Sequence, residues 1–335
     1  MSVWNPLITE CAERVLNGGE ITFDEAVALI ELSDEQSLEF FAAADKIRRT
    51  FMGQAMDLCA IVNAKSGNCS EDCAFCSQSK VSRAAIAEYN YMPVEQVAEK
   101  AQEAYAMGAR AFGIVTSGWG LRSQSQMETL KGYLGAIKVK SDIGRCASLG
   151  PLTHGQAKEL AEAGLQRYHH NIETAPSHFD AICSTHTFQE NLTTLEAAAA
   201  AGMSVCAGGI VGMGESPRQR VEMAFTLKPY PIASIPINFL NAIEGTTLHD
   251  RGVQNLTPFE MLRTVAVFRF IHPKADIRIA GGRHLLGELQ PLLFMAGGSA
   301  AMVGNYLTTN GLNPEDDERM FQHLGRPPLE VARGL

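Results

Sequence analysis

The sequence predicts a (β/α)8 barrel of the TIM type with an N-terminal helical extension, and three observations carry that reading. From about residue 56 onward, eight short apolar or β-branched runs alternate with seven amphipathic stretches of helical spacing. Glycine stands where helix gives way to strand, at Gly108, Gly164 and Gly202. No linker or low-complexity segment interrupts the alternation, so one closed parallel barrel accounts for it better than an open sheet or two domains.

Taken in order, residues 1–50 form the helical extension. Asp24–Leu32 and Asp34–Arg49 carry helix formers with apolar residues three and four apart, and Thr22 and Ser33 stand where N-caps belong. The barrel occupies 51–312. Its strands are expected at Met56–Asn63, Ala111–Thr116, Ile143–Leu149, Gln166–Asn171, Met203–Ile210, Ala233–Leu240, Asp276–Ala280 and Ala300–Val303. The intervening helices are expected at Val94–Met107, Gln126–Val139, Thr153–Ala163, Thr187–Ala201, Pro217–Leu227, Pro258–Ile271 and Gly287–Ala296. Residues 313–335 are polar and Pro-rich and are expected to be a mobile tail.

The composition excludes several function classes. Over 335 residues, 46% are hydrophobic and 19% charged, which is ordinary globular usage rather than disorder. The formal net charge is -9, with no Lys/Arg run, so a nucleic-acid backbone is a poor partner. The uncharged stretches Ala197–Gly214 and Leu289–Pro314 are broken by glycine and polar residues, so no membrane span is expected. Met1–Glu10 shows no secretory pattern, and a cytoplasmic location is expected. In a reducing compartment the eight cysteines read as metal ligands, catalytic groups or small core residues rather than disulfides.

The strongest chemical signal is Cys69-Ser-Glu-Asp-Cys73-Ala-Phe-Cys76, a C-x3-C-x2-C spacing in a loop after the first expected strand. A barrel keeps its active site at that end. Three thiolates are one short of a closed tetrahedral or cubane site, so a 4Fe–4S cube held by them leaves one iron free to bind a small molecule. The alternative is a zinc site completed by Cys59 or a histidine.

C-x3-C-x-aromatic-C resembles the signature of the radical S-adenosylmethionine superfamily. Within it, the chain is similar to the biotin synthase family over nearly its whole length after the N-terminal helices. The likeness is carried by Asn63–Ser79, Tyr168–Thr174, Cys206–Glu215, Ser234–Asn238 and Ile277–Arg283, in that order. The resemblance implies that a reduced cluster on Cys69, Cys73 and Cys76 cleaves S-adenosylmethionine to a 5′-deoxyadenosyl radical. That radical takes hydrogen from two unactivated carbons of dethiobiotin, and a sulfur atom is inserted between them. By the same resemblance, Phe75, Ser117, Gly118, Asn171 and Glu173 contact S-adenosylmethionine, while His169, Asn171 and Asn238 contact substrate. His169 and Glu173 stand where the usual pattern has Asn and Asp. A homodimer built on the N-terminal helices and a reductant such as flavodoxin or ferredoxin are implied as partners.

The resemblance also implies an auxiliary iron–sulfur cluster that supplies the sulfur, usually 2Fe–2S on three strand cysteines and an arginine. Cys146, Cys206 and Arg278 match three of those positions, but the fourth is Gly113, which cannot ligate iron. Two cysteines outside the usual pattern, Cys59 and Cys183, are candidates to complete a rearranged set. Cys59 falls on the first strand, and odd strands of such a barrel share an interior layer. Cys183 is expected to close over the same site. A four-cysteine set would suit a 4Fe-type cluster. The rival functions are another radical enzyme of related architecture, such as a hydrogenase maturase or methylornithine synthase, and a non-catalytic iron–sulfur protein.

Overall fold

The computed structural model describes residues 4–308, 311 and 313–335; the first residues tested for a secretory pattern and the expected barrel boundary at 312 lie outside the described residues. Among the described residues, nine strand segments form the barrel: β1 (Asp57–Lys65), β2 (Ala111–Thr116), β3 (Gly144–Ser148), β4 (Arg167–His169), β5 (Ser204–Cys206), β6 (Gly209–Val211), β7 (Ile232–Phe239), β8 (Asp276–Ile279) and β9 (Ala300–Met302). All pair in parallel, β1 with both β2 and β9, and the β5–β7 pairing closes the ring.

Eight staves result, because β5 and β6 are two pieces of the fifth and both lie against β7. The expected strand Met203–Ile210 is therefore interrupted. At the break, any Cβ on Gly208 would collide with the Pro236 carbonyl, so only glycine lets the two backbones approach. The chain shifts partners there: the Cys206 and Gly208 carbonyls accept from His170 and Ile172, and Ile210 N–H donates to Glu173 O at 2.7 Å. That bends the end of β4 toward the cavity.

The extension consists of α1 (Pro6–Leu16), α2 (Phe23–Ile30) and α3 (Asp34–Met52). Thr22 caps α2 in a reciprocal box with Glu25, whereas Ser33 makes no capping bond to α3. Aromatic rings fasten these helices to the barrel's outer layer: Phe40 meets Phe270 at 5.1 Å, Phe23 meets Phe225 at 5.3 Å and Phe41 meets Phe259 at 6.1 Å. A fully buried ring such as Phe40 or Phe270 contributes about 2–3 kcal/mol.

Two expectations are corrected. The helix expected at Gly287–Ala296 begins earlier and is kinked: a 3-10 turn spans Arg283–Leu289, Gly287 adopts φ 52°, and a helix resumes over Gln290–Met295. The tail is not loose. After the helix Pro314–His323 it runs beneath the N-terminal ends of the strands and plugs the barrel. Met56 N–H donates to Pro327 O, and Leu329 N–H to Met56 O, both at 2.9 Å. Arg333 pairs with Asp276 at 2.5 Å, its backbone N–H donates to Asp57 at 2.6 Å, and Arg326 pairs with Asp45 at 2.6 Å. Buried carboxylates at the barrel floor need positive partners, and these arginines supply them. No helix among the described residues is long and apolar enough to cross a membrane.

Candidate functional site

The loop after β1 carries the cysteine triplet across the mouth of the barrel. Cys76 N–H donates to Cys73 O at 3.1 Å and Ser79 N–H to Cys76 O at 3.2 Å, a pair of tight turns that bring the thiols to one side. Gln78 and Ser117 hold the entry: Gly67 N–H donates to Gln78 Oε1 at 3.0 Å, and Ser117 Oγ donates to Gly67 O at 2.6 Å. Cys69, Cys73 and Cys76 are all half-buried, all free, and all line one cavity of about 440 Å3 that runs down the barrel axis. Burial pushes the Cys76 thiol up to about 11, so its thiolate is costly there unless a cation takes the proton's place.

The deep end of the same cavity is lined by Cys59 on β1, Cys146 on β3, Cys206 on β5 and Arg278 on β8. These four are close enough that the charge of each bears on the others. Burial raises all three thiols, Cys146 to about 12. Arg278 is fully engaged: Nη2 pairs with Asp57 Oδ1 at 2.8 Å, Nε donates to Ser234 Oγ at 3.1 Å, and Nη1 donates to the Asp57 and Ala301 carbonyls. Gly113 sits beside Ile61 in the β1–β2 register, and a Cβ there would lie 3.1 Å from Ile61 Cγ2. Ile61 thus crowds a Cβ at 113 and would have to move by a few tenths of an ångström to admit one.

Cys183 does not join this ring. The structure places it at the mouth, its Sγ 3.9 Å from Cys73 Sγ, which corrects the expectation that it closes over the deep site. The cause is a clamp formed by Asp72. Its carboxylate accepts from Ser184 N–H at 3.0 Å, Thr185 N–H at 3.2 Å and Thr185 Oγ1 at 3.0 Å, folding residues 183–185 onto the triplet loop. Although burial opposes it, these bonds hold the Asp72 carboxyl well below the usual carboxylate range. Accepting from Cys73 pulls the Cys183 thiol down to about 5, and the same contact raises Cys73.

Between the two ends lie the remaining expected contacts. Phe75, Ser117, Gly118, His169, Asn171, Glu173 and Asn238 all line the cavity. Glu173 adopts φ 64°, unusual for a residue with a side chain, held there by the β6 contact described above. Its carboxyl is raised by burial and accepts from Asn171 Nδ2 at 3.3 Å. Asn171 Oδ1 is buried with no partner among the described residues, an acceptor at the cavity wall. Asn238 is differently disposed. It donates to Gly209 O at 3.1 Å and accepts from Gly281 N–H at 2.9 Å, so both ends of its amide already tie strands together.

Sequence reasoning missed Asp72, Glu71, Trp119 and His186. His186 stacks on Trp119 with centroids 4.0 Å apart and bonds Glu71 Oε2 through Nδ1 at 3.0 Å. Its spacing from Cys183, C-x2-H, was the available signal.

Two family models match: the Radical SAM superfamily over residues 64–227 and the Biotin and Thiamin Synthesis associated domain over residues 236–326. A biotin synthase from Pelotomaculum thermopropionicum is 48% identical over 319 residues, covering 95% of this chain and 98% of the relative. The chain belongs to the biotin synthase family. A second family member, from Geobacter sulfurreducens, is 44% identical, covering 94% of this chain and 95% of its own length. The triplet, Gly113, Cys146 and Cys206 fall within the first matched region and Asn238 and Arg278 within the second, while Cys59 precedes both. Among solved structures, a methylornithine synthase superposes with a TM-score of 0.82 over 96% of this chain and 97% of that one. An FeFe-hydrogenase maturase from Carboxydothermus hydrogenoformans gives 0.79 over 98% and 80%. Both are 16% identical and share the fold with this biotin synthase family member.

Proposed function

We propose that this chain is a radical S-adenosylmethionine sulfurtransferase that converts dethiobiotin to biotin. The observation that carries the reading is that the triplet and the Cys59–Cys146–Cys206–Arg278 ring line opposite ends of one cavity. Sulfur insertion requires a hydrogen-abstracting centre and a sulfur donor to face the same substrate carbons, and family membership names the substrate class.

The residues fit the groups the family implies. Cys69, Cys73 and Cys76 would hold a 4Fe–4S cluster, and the buried Asn171 Oδ1 with the Glu173 carboxyl would take the polar groups of S-adenosylmethionine. Cys59, Cys146 and Cys206, with Arg278, would hold the auxiliary cluster. Bound and reduced, these groups supply a hydrogen-abstracting radical and the inserted sulfur. The protein's part is placement and exclusion. Phe75 forms an apolar wall beside the triplet, and Ser117 fixes the cavity rim to the triplet loop. Asn238 holds the β6 and β8 ends at a set separation, so the cavity width is fixed before substrate arrives. Asp57 neutralises Arg278 and leaves its guanidinium immobile beneath the ring.

The auxiliary set is rearranged in this reading. Gly113 supplies no ligand, and Cys59 replaces it. With Cys183 at the mouth, three cysteines and one arginine remain at depth. The homodimer, the flavodoxin or ferredoxin reductant and the cytoplasmic location are supported by family membership.

The test is anaerobic incubation of the reconstituted protein with dethiobiotin, S-adenosylmethionine and a reductant, measuring 5′-deoxyadenosine and biotin together. Both products are expected. 5′-Deoxyadenosine without biotin would point to another radical enzyme, and neither product would refute the assignment.

A further inference from the structure

The mouth of the barrel holds a second grouping that shares only Cys73 with the triplet. Cys73 Sγ, Cys183 Sγ and a His186 ring nitrogen all lie within 4.8 Å of one another. Cys183 is buried, and the His186 side chain is only 5% exposed. The spacings are informative. Cys73 Sγ and Cys183 Sγ are 3.9 Å apart, and Cys183 Sγ is 3.2 Å from His186 Nδ1 and 3.7 Å from Nε2. A tetrahedral ion with metal–sulfur bonds of about 2.3 Å and metal–nitrogen bonds of about 2.0 Å holds two thiolates about 3.8 Å apart, and a thiolate and an imidazole nitrogen about 3.5 Å apart. Thiolates on separate irons of a cubane stand much farther apart, so the pair is spaced for one shared ion.

The surroundings agree with that chemistry. His186 Nδ1 also lies 3.0 Å from Glu71 Oε2, so a buried carboxylate orients the imidazole beside the two thiols. Trp119 stacks on the imidazole and fixes its plane. The Asp72 clamp holds the Cys183 loop in place from a different side chain. Three protein ligands leave a fourth position for water.

We propose that Cys73, Cys183 and His186 form a mononuclear site for a thiophilic divalent cation of the Fe2+ or Zn2+ class in the cluster-free protein. The two sulfur ligands and one nitrogen suit such ions and exclude Mg2+ and Ca2+. The site needs only the geometry above. Its consequence rests on Cys73 also being a cluster ligand, as in the reading above: an ion held there competes with cluster assembly for that thiolate.

The experiment uses the full chain, stripped of metal by chelation under anaerobic, reducing conditions, with Co2+ as the probe. Wild type should show the intense visible absorption of four-coordinate Co2+ with thiolate charge transfer in the near ultraviolet. Cys183→Ser and His186→Ala should each weaken binding at least about tenfold, while Cys69→Ser and Cys76→Ser change it less than about twofold. Wild-type affinity in both Cys183→Ser and His186→Ala, or loss of binding in Cys69→Ser and Cys76→Ser, would overturn the proposal by placing the ion on the triplet alone. Circular dichroism checks folding. If Cys183→Ser is misfolded, Glu71→Gln should still weaken Co2+ several-fold, and its failure to do so counts against the site. Iron uptake by unloaded wild type is measured separately, so a chain that binds Co2+ here yet assembles no four-iron cluster would sink the functional reading and leave this site standing.

Discussion

The two ends of the cavity are built in opposite ways. At the mouth, three thiols come from eight consecutive residues of a loop, and side-chain clamps from Asp72, Gln78 and Ser117 hold them. At depth, three thiols and an arginine come from β1, β3, β5 and β8, spread from residue 59 to residue 278, and the strands themselves fix their places. The loop can present half-buried thiols to a ligand that comes and goes. The ring is enclosed by strand backbones above and by the tail below, where Ala332 and Leu335 pack against Cys146, Cys59 and Ala111. Exchange belongs to the loop and containment to the strands.

The largest effect that sharpens this contrast comes from paired cysteine substitutions. Cys73→Ala should abolish both 5′-deoxyadenosine and biotin. Cys59→Ala should abolish biotin alone, leave S-adenosylmethionine cleavage, and reduce iron to about four per chain. Iron and sulfide analysis beside product assays reads both. Should Cys59→Ala make biotin normally, the deep ring does not need that thiol, and Cys59 is a small core residue.

A smaller effect concerns the floor. Asp57 is fully buried, pairs with Arg278 and accepts from the Arg333 backbone. Asp57→Asn should lower unfolding free energy by about 3–5 kcal/mol, because it strands Arg278 in the interior. Chemical denaturation measures this. An equal substitution at the mouth, Asp72→Asn, should cost less, since Ser184 and Thr185 are exposed there and water replaces the lost bonds.

The smallest effect per residue is on pH. Burial lowers His170, which bonds Asn191 in the cavity wall, and His272, which donates to Ala224 O on the outer layer, each to about 4. Their unfolded values are about 6.5, so below that pH the unfolded chain binds more protons and stability falls as pH drops toward 4. Each contributes up to about 3 kcal/mol across that window. Thermal melts from pH 7 to 4 should show the decline, and His272→Gln should remove about half of it. A flat profile would mean that neither histidine is held neutral.

How far the sequence reveals these regions follows from the range of the forces involved. The barrel was legible because strand and helix periodicities are local: β2 spans the expected Ala111–Thr116, and β8 falls inside Asp276–Ala280. The break in the fifth stave was not, because it depends on Gly208 meeting Pro236 across the sheet. The order of the tail is not legible for the same reason, since it comes from Arg326 and Arg333 finding Asp45, Asp57 and Asp276 far away in sequence. The triplet could be read as a motif because its spacing is contiguous. The ring could be suggested only through strand parity and resemblance. Cys183 lies at the end opposite to the expected one because the Asp72 clamp joins segments more than a hundred residues apart.

The most direct test of the two-region account is Mössbauer spectroscopy of 57Fe-reconstituted protein before and after S-adenosylmethionine is added. The account predicts two iron populations: one in which a single iron of four responds to the addition, lost in Cys73→Ala, and a second that does not respond and is lost in Cys59→Ala. One homogeneous population, or no iron that responds, would contradict it.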